Sequence, residues 1–399
     1  MPEITFNETN VELAANCKLR LRISHRGHPL EAAREAVTQA LESPLDFPPL
    51  ASCTVPEDRI VVAVDRDVPQ VADVIAGLID ALLAGEATTD DISVVLTHDN
   101  PLGPDDLLGA LPDAVQARIR VERHDPDDKS QLCYLAANDD ALPIYINRHL
   151  YDADVVVPVA TLQPAGTLGY AGMHSGLYPS FSDTATQQRF RAAELNNRRS
   201  RIAACQQADQ AAWLLGVQLS LQLVPGPGNS ILHVVAGESG VVAQVGEQLS
   251  HAAWQHENEE QASLVVATVE GGPDQQTWQN VARALAAVSP LVDEGGAVVL
   301  CTDLHEPPGM SLQRLMADEP LNGDESAGPD ALAAFVIGES RERHPVYLLS
   351  QLDADTVEDL GIGFVSCLED VGRLSRNHAS CIVVENAHRT SLTGQYAVP

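Results

Sequence analysis

Lysine is nearly absent from this 399-residue chain: Lys18 and Lys129 are the only two, and the rest of its 24 basic residues are arginines. Chemistry that needs an amine, such as a Schiff base or a covalently tethered cofactor, has just those two positions to use. Positive charge is scarce altogether. Against 56 acidic residues the formal net charge is -32, a surface that repels phosphate backbones and anionic lipid, so no nucleic acid is expected as partner. No apolar run approaches the roughly 18 residues that cross a bilayer, and no membrane span is expected. The first residues lack the basic region and apolar stretch of a secretory signal, which makes the cytoplasm the expected compartment. The seven cysteines never form a C-x-x-C pair, which excludes a zinc ribbon and argues against a disulfide framework. The thirteen histidines show no His-x-x-x-His spacing, so spacing alone names no metal ligands.

What is present is an alternation of short Val/Ile/Ala runs with helical patterns. Ile60–Val64 reads as a buried strand, and the helix Val71–Leu83 follows with Val71, Val74, Ile75, Leu78, Ile79 and Leu82 on one side. Ile92–Leu96 leads to a short helix over 104–110, and further strands are expected at 117–122, 144–147 and 154–159. Residues 184–215 read as a helix that carries Arg189, Arg191, Arg198, Arg199 and Arg201, the most basic segment of the chain. Strands at 219–224 and 231–236 and a helix over 239–254 complete a first unit. A second series follows, with strands at 263–269, 297–301, 345–349 and 379–384 between helices at 277–287, 311–318 and 353–360. The pattern predicts an α/β fold of two domains, 1–254 and 255–399, each with a mainly parallel sheet flanked by helices.

Loops after the carboxyl ends of parallel strands are where such folds collect ligands. Four stand out: Asp65-Arg66-Asp67, His98-Asp99-Asn100, a glycine-rich segment from Gln163 to Gly176 that contains His174, and Gly271-Gly272-Pro273-Asp274-Gln275-Gln276. His98 and His174 are candidates for proton transfer near neutral pH, each weighed against a hydrogen-bonded loop histidine. His305-Glu306, again after a strand, is a further candidate. There is no P-loop, no Gly-x-Gly-x-x-Gly between strand and helix, and no Gly-x-Ser-x-Gly elbow.

These loops, in their order and spacing over residues 55 to 310, resemble those of the nickel-pincer lactate racemase family of 2-hydroxy-acid racemases and epimerases. The carrying residues are 64–69 (Val-Asp-Arg-Asp-Val-Pro), 96–99 (Leu-Thr-His-Asp), 153–156 (Ala-Asp-Val-Val), Gly169-Tyr170-Ala171-Gly172 with Tyr178-Pro179, and 271–275 with Gln279. The resemblance implies an active site in the cleft between two α/β domains. It also implies a nickel-pincer cofactor tethered to a lysine, and two histidines exchanging protons at opposite faces of the substrate. Carried over position by position, the tethering lysine falls at Ser175 and the nickel-ligand histidine on or near Arg191. A histidine of the glycine loop falls near Ala165, the substrate-binding arginine at Val68, and a lysine at Ala282 beside Arg283.

The lysine tether is therefore absent, and a nickel-pincer nucleotide, if used, would be held non-covalently by Gly169, Gly172, Ser175 and Arg191. His98 and His174 are the catalytic candidates and Asp65, Arg66 and Gln279 the substrate-binding ones, with a small anionic hydroxy acid as ligand; Arg66 or Arg191 would clamp its carboxylate. The expected function is a racemase or epimerase of a 2-hydroxy acid or sugar acid. The alternative is a non-catalytic ligand-binding member that has lost the nickel chemistry, and a hydrolase or lyase built in the same cleft is a third reading.

Overall fold

The runs of β-branched residues become the middle strands of two separate six-stranded sheets. The computed structural model describes residues 3–7, 9–138, 141–164, 167–169, 172–195, 198–258, 260–319 and 328–392. The first sheet runs in the order Ile231–Glu238, Leu219–Pro225, Val155–Thr161, Ile60–Val64, Ile92–Leu96, Arg120–Arg123. Every pairing in it is parallel except the hairpin of its first two strands. Ile60–Val64 is buried at all five positions, as a strand covered on both faces must be. The second sheet is parallel throughout, in the order Gly363–Val365, Val346–Leu349, Val292–Thr302, Ala262–Val269, Ser380–Val384, Lys18–Ile23.

Two expectations need correcting. The segment 144–147 forms a strand, Pro143–Asn147, but it pairs antiparallel with Leu132–Ala137 in a ribbon of its own and not in the parallel sheet. A division into 1–254 and 255–399 also does not follow the sheets: Lys18–Ile23 lies against Ser380–Val384 at the edge of the second one. Its alternating sequence Lys-Leu-Arg-Leu-Arg-Ile suits an edge strand with one face to solvent, and its partner is some 360 residues away, where local pattern gives no hint of it. The expected helix over 184–215 is present as Thr184–Leu195 and Arg198–Leu214, on either side of residues 196–197, which lie outside the described residues.

Val71–Leu83 packs across Ala33–Glu42, and Gly77 makes the crossing close: a Cβ there would lie 2.4 Å from the Arg34 carbonyl oxygen. Arg34 spans the same crossing with two hydrogen bonds to Asp80, 2.6 and 3.0 Å. In both sheets the carboxyl ends of the parallel strands carry the loops singled out above. Asp65 is tied to the next strand by its amide, which donates to the Val159 carbonyl at 3.0 Å, and Asn100 Nδ2 donates to the Asp65 carbonyl at 3.3 Å. Among the described residues no helix is long and apolar enough to cross a membrane.

Candidate functional site

A cavity of about 200 Å³ opens between the two sheets. The first supplies Asp65, Arg66, Asp67, His98 and Asp99 from its strand ends, Gly169 and Ser175 from the glycine loop, and Gln187, Phe190 and Arg191 from Thr184–Leu195. The second supplies Gln279 and Arg283 from the helix Trp278–Val288, with Gly328, Pro329 and Leu332. Asp65, Arg66, His98, Gly169, Ser175, Arg191 and Gln279, each singled out from sequence, are thus brought together.

His174 and Gly172 are not in the lining. The chain makes a helical turn after Gly172, with the amides of Leu177 and Tyr178 both donating to the His174 carbonyl. Ser175, Pro179 and Ser180 face the cavity. His174 points instead to the helix Arg198–Leu214, where its Nδ1 lies 2.8 Å from Asp209 Oδ1, and Gly172 faces Cys205. The pair of histidines on opposite faces of a substrate is therefore not assembled at this cavity. Ala165, Tyr170 and Ala171 lie outside the described residues. His305 is outside the lining as well, with its Nδ1 3.4 Å from the Asp303 carbonyl oxygen.

The charges range from buried to open: Asp274 and Arg283 are buried, Asp65, Arg66, Asp67 and His98 partly buried, and Asp99 exposed. Asp65 accepts a hydrogen bond from its neighbour's amide (Arg66 N, 2.8 Å), and is pushed up to about 7 by burial and then by Asp67. Burial likewise raises Asp67 against the pull of Arg283, whose Nη1 is 3.7 Å away. Asp99 goes the other way. Burial would raise it, but the Arg66 guanidinium 3.2 Å away, aided by His98, holds it below the usual carboxylate range. Asp274, whose carbonyl accepts from Arg66 Nε at 3.4 Å, is raised to about 6 by burial and Asp67. His98 lies with Nδ1 4.0 Å from Asp99 Oδ1, and that nitrogen is buried without a hydrogen-bond partner among the described residues.

Arg283 is the charged cavity residue that the sequence pattern did not mark as a candidate. It is a lone charge in an otherwise apolar helical stretch, Val-Ala-Arg-Ala-Leu-Ala-Ala-Val, and such a residue must find partners. It donates to the Leu168 carbonyl at 3.0 Å and to Asn280 Oδ1 at 3.1 Å, which aims it at the cleft. Ala282, where the resemblance puts a lysine, is fully buried in the core of the second sheet, and Val68, where it puts an arginine, is in the core of the first.

Residues 6–203 match the model of the lactate racemase N-terminal domain. The chain is a divergent member of the lactate racemase family. Its fold is similar to that of the lactate racemase apoprotein from Thermoanaerobacterium thermosaccharolyticum, with a TM-score of 0.77 at 14% identity over 98% of this chain and 99% of that one. A protein from Thermotoga maritima matches with a TM-score of 0.62 at 14% identity, over 92% and 99% of the two chains. Identities this low are likenesses of fold. No curated protein matches the chain by sequence.

The nickel-pincer group of lactate racemases does not fit the residues this member presents. Ser175 stands at the tether position and its hydroxyl donates to the Gly172 carbonyl at 2.7 Å. Lys18 is an edge-strand residue of the second sheet, and Lys129 lies in the turn before Leu132–Ala137. Arg191, with Nη2 donating to Gln187 Oε1 at 3.1 Å, brings a fixed positive charge to the place of the nickel-binding histidine. A guanidinium has no lone pair for a metal and repels one. Among the described residues, no three His, Cys, Asp or Glu side chains are grouped as a metal would need.

Proposed function

We propose that this lactate racemase family member captures a small 2-hydroxy-acid or sugar-acid anion in the cleft and does so without lysine-tethered nickel chemistry. The observation that carries the reading is the convergence of Arg66, Arg191 and Arg283 on one cavity of about 200 Å³. Guanidiniums bind carboxylates through two parallel hydrogen bonds, and three of them from three elements suit a small carboxylate. Arg66 and Arg283 stand beside Val68 and Ala282, where the resemblance puts cations, so the clamp keeps its chemistry at shifted positions. Gln279 and Ser175 add polar contacts for a hydroxyl group.

The test is to make the protein in cells that also synthesise the nickel-pincer nucleotide, then weigh it by native mass spectrometry and titrate it with lactate and glycolate by calorimetry. The expected result is the bare chain mass, no stoichiometric nickel, and carboxylate binding that Arg283→Met weakens by about tenfold or more. Stoichiometric nickel on the chain, or no binding of either acid, overturns the reading.

A second reading, a racemase or epimerase, is favoured by His98, which lines the cavity and whose buried Nδ1 has no hydrogen-bond partner among the described residues. Chiral chromatography of D- and L-lactate incubated with the protein decides between the two: interconversion that disappears in His98→Ala supports catalysis, and its absence leaves capture alone.

A further inference from the structure

We propose that the cleft takes up its carboxylate ligand together with one proton, which lodges on Asp65. The inference rests on the capture reading above. The cavity is close to charge balance before any ligand enters, with Arg66, Arg191 and Arg283 facing Asp65, Asp67 and Asp99. An incoming anion adds a negative charge beside partly buried carboxylates, where an unbalanced charge costs more than at the open surface. Excess charge of that kind is relieved by protonating one of the carboxylates.

The three aspartates are not equivalent. Asp99 is paired with Arg66 at 3.2 Å, and Asp67 faces Arg283 at 3.7 Å. Asp65 has no guanidinium of its own among the described residues: its Oδ1 takes the Arg66 amide, and its Oδ2 faces the backbone of Gly176, where even a Cβ would come within 2.7 Å. It is the aspartate with the least to lose on becoming neutral. Burial together with Asp67 already holds it near neutrality, about 7, so the proton is available under ordinary conditions.

The groups facing Asp65 come from each surrounding element. Its own loop brings Arg66 and Asp67, the adjacent strand end His98 and Asp99, and Trp278–Val288 brings Arg283. Arg191 faces the same cavity from Thr184–Leu195, while Gly176 and Ser175 of the glycine loop carry no charge. Asp274 and Arg389 act on Asp67, and Glu306 on Arg66, from the second sheet. Once neutral, Asp65 becomes a hydrogen-bond donor to the ligand instead of a repelling charge, and anion plus proton leave the net charge of the site unchanged.

Calorimetric titration of the full chain with lactate, an anion throughout, tests this between pH 6 and 9. The expected Kd is nearly constant below about pH 6.5 and rises about tenfold per pH unit above about pH 7.5. Paired titrations at pH 8 in buffers of different ionisation enthalpy should show uptake of about one proton, and Asp65→Asn should bind without slope or uptake. A flat Kd with no uptake, while lactate still binds, overturns the proton coupling and leaves the capture reading standing. Absence of lactate and glycolate binding at every pH removes both. A slope that persists in Asp65→Asn puts the proton elsewhere and overturns the assignment. Should that variant not fold, His98→Gln decides: a slope that survives supports Asp65, and one that vanishes overturns it.

Discussion

The Asp65 carboxylate and the Gly176 backbone meet so closely that the glycine is a condition of the site. A Cβ at 176 would stand 2.7 Å from Asp65 Oδ2 and 2.8 Å from Ala160 Cβ, both on rigid strand ends of the first sheet. The Ala160 Cβ cannot step aside without moving its strand, and the Asp65 carboxylate can do so only by leaving the Arg66 amide. Gly176→Ala is expected to lower stability by about 1–3 kcal/mol in chemical denaturation; an unchanged midpoint contradicts the contact. The importance of this loop is legible in sequence from its glycines, but which glycine meets Asp65 is not. At the same scale, His98 and Asp65 lie at strand ends that pattern alone locates, whereas His174, two residues before Gly176, turns away because a helical turn sends consecutive residues in different directions.

The helix Trp278–Val288 shows how an element decides which of its residues can serve the cleft. Thr277 caps it, its side chain accepting from the Asn280 amide at 3.1 Å, and it is buried at every position but Gln279. One side of the helix joins the core of the second sheet through Val281, Ala282 and Leu285, while Gln279 and Arg283 look into the cavity. Residue positions transferred by alignment take no account of that rotation. Ala282→Lys, which restores the residue type the family resemblance puts there, should therefore not restore a binding group. It places an ammonium in an apolar core and is expected to destabilise the fold by about 3 kcal/mol or more, read from the urea midpoint. A variant as stable as the parent, with stronger carboxylate binding, would show that position 282 reaches the cleft.

The two sheets meet through a polar joint as well as through the cavity. Arg389, fully buried and held by that burial at about 10, and so still charged at neutral pH, donates to the Gly226 carbonyl and to Gln275 Oε1. Asn386 Oδ1 accepts from the Gly228 amide at 3.2 Å, and Asn229 Oδ1 accepts from the Gln70 amide at 3.1 Å. The C-terminal segment thereby grips the 226–229 turn, and that turn grips the chain just beyond Asp65-Arg66-Asp67. Arg389→Met removes the charge that faces Asp67, Asp274 and Glu270. It is expected to cost about 3–5 kcal/mol in denaturation, because the partners are left buried and uncompensated; a cost below about 1 kcal/mol would mean the joint is solvated. Much of the architecture was open to a reading of residues alone. Short β-branched runs bounded by turn residues suit strands buried on both faces, so the two mainly parallel sheets and the loops at their carboxyl ends are legible in local composition, as is the scarcity of amines to tether a cofactor. Tertiary structure decided which loops converge, that Lys18–Ile23 joins a strand from the far end of the chain, and that Arg283 instead of Ala282 meets the cavity. Such pairings and side-chain directions depend on contacts between residues hundreds of positions apart, and local periodicity carries no record of them.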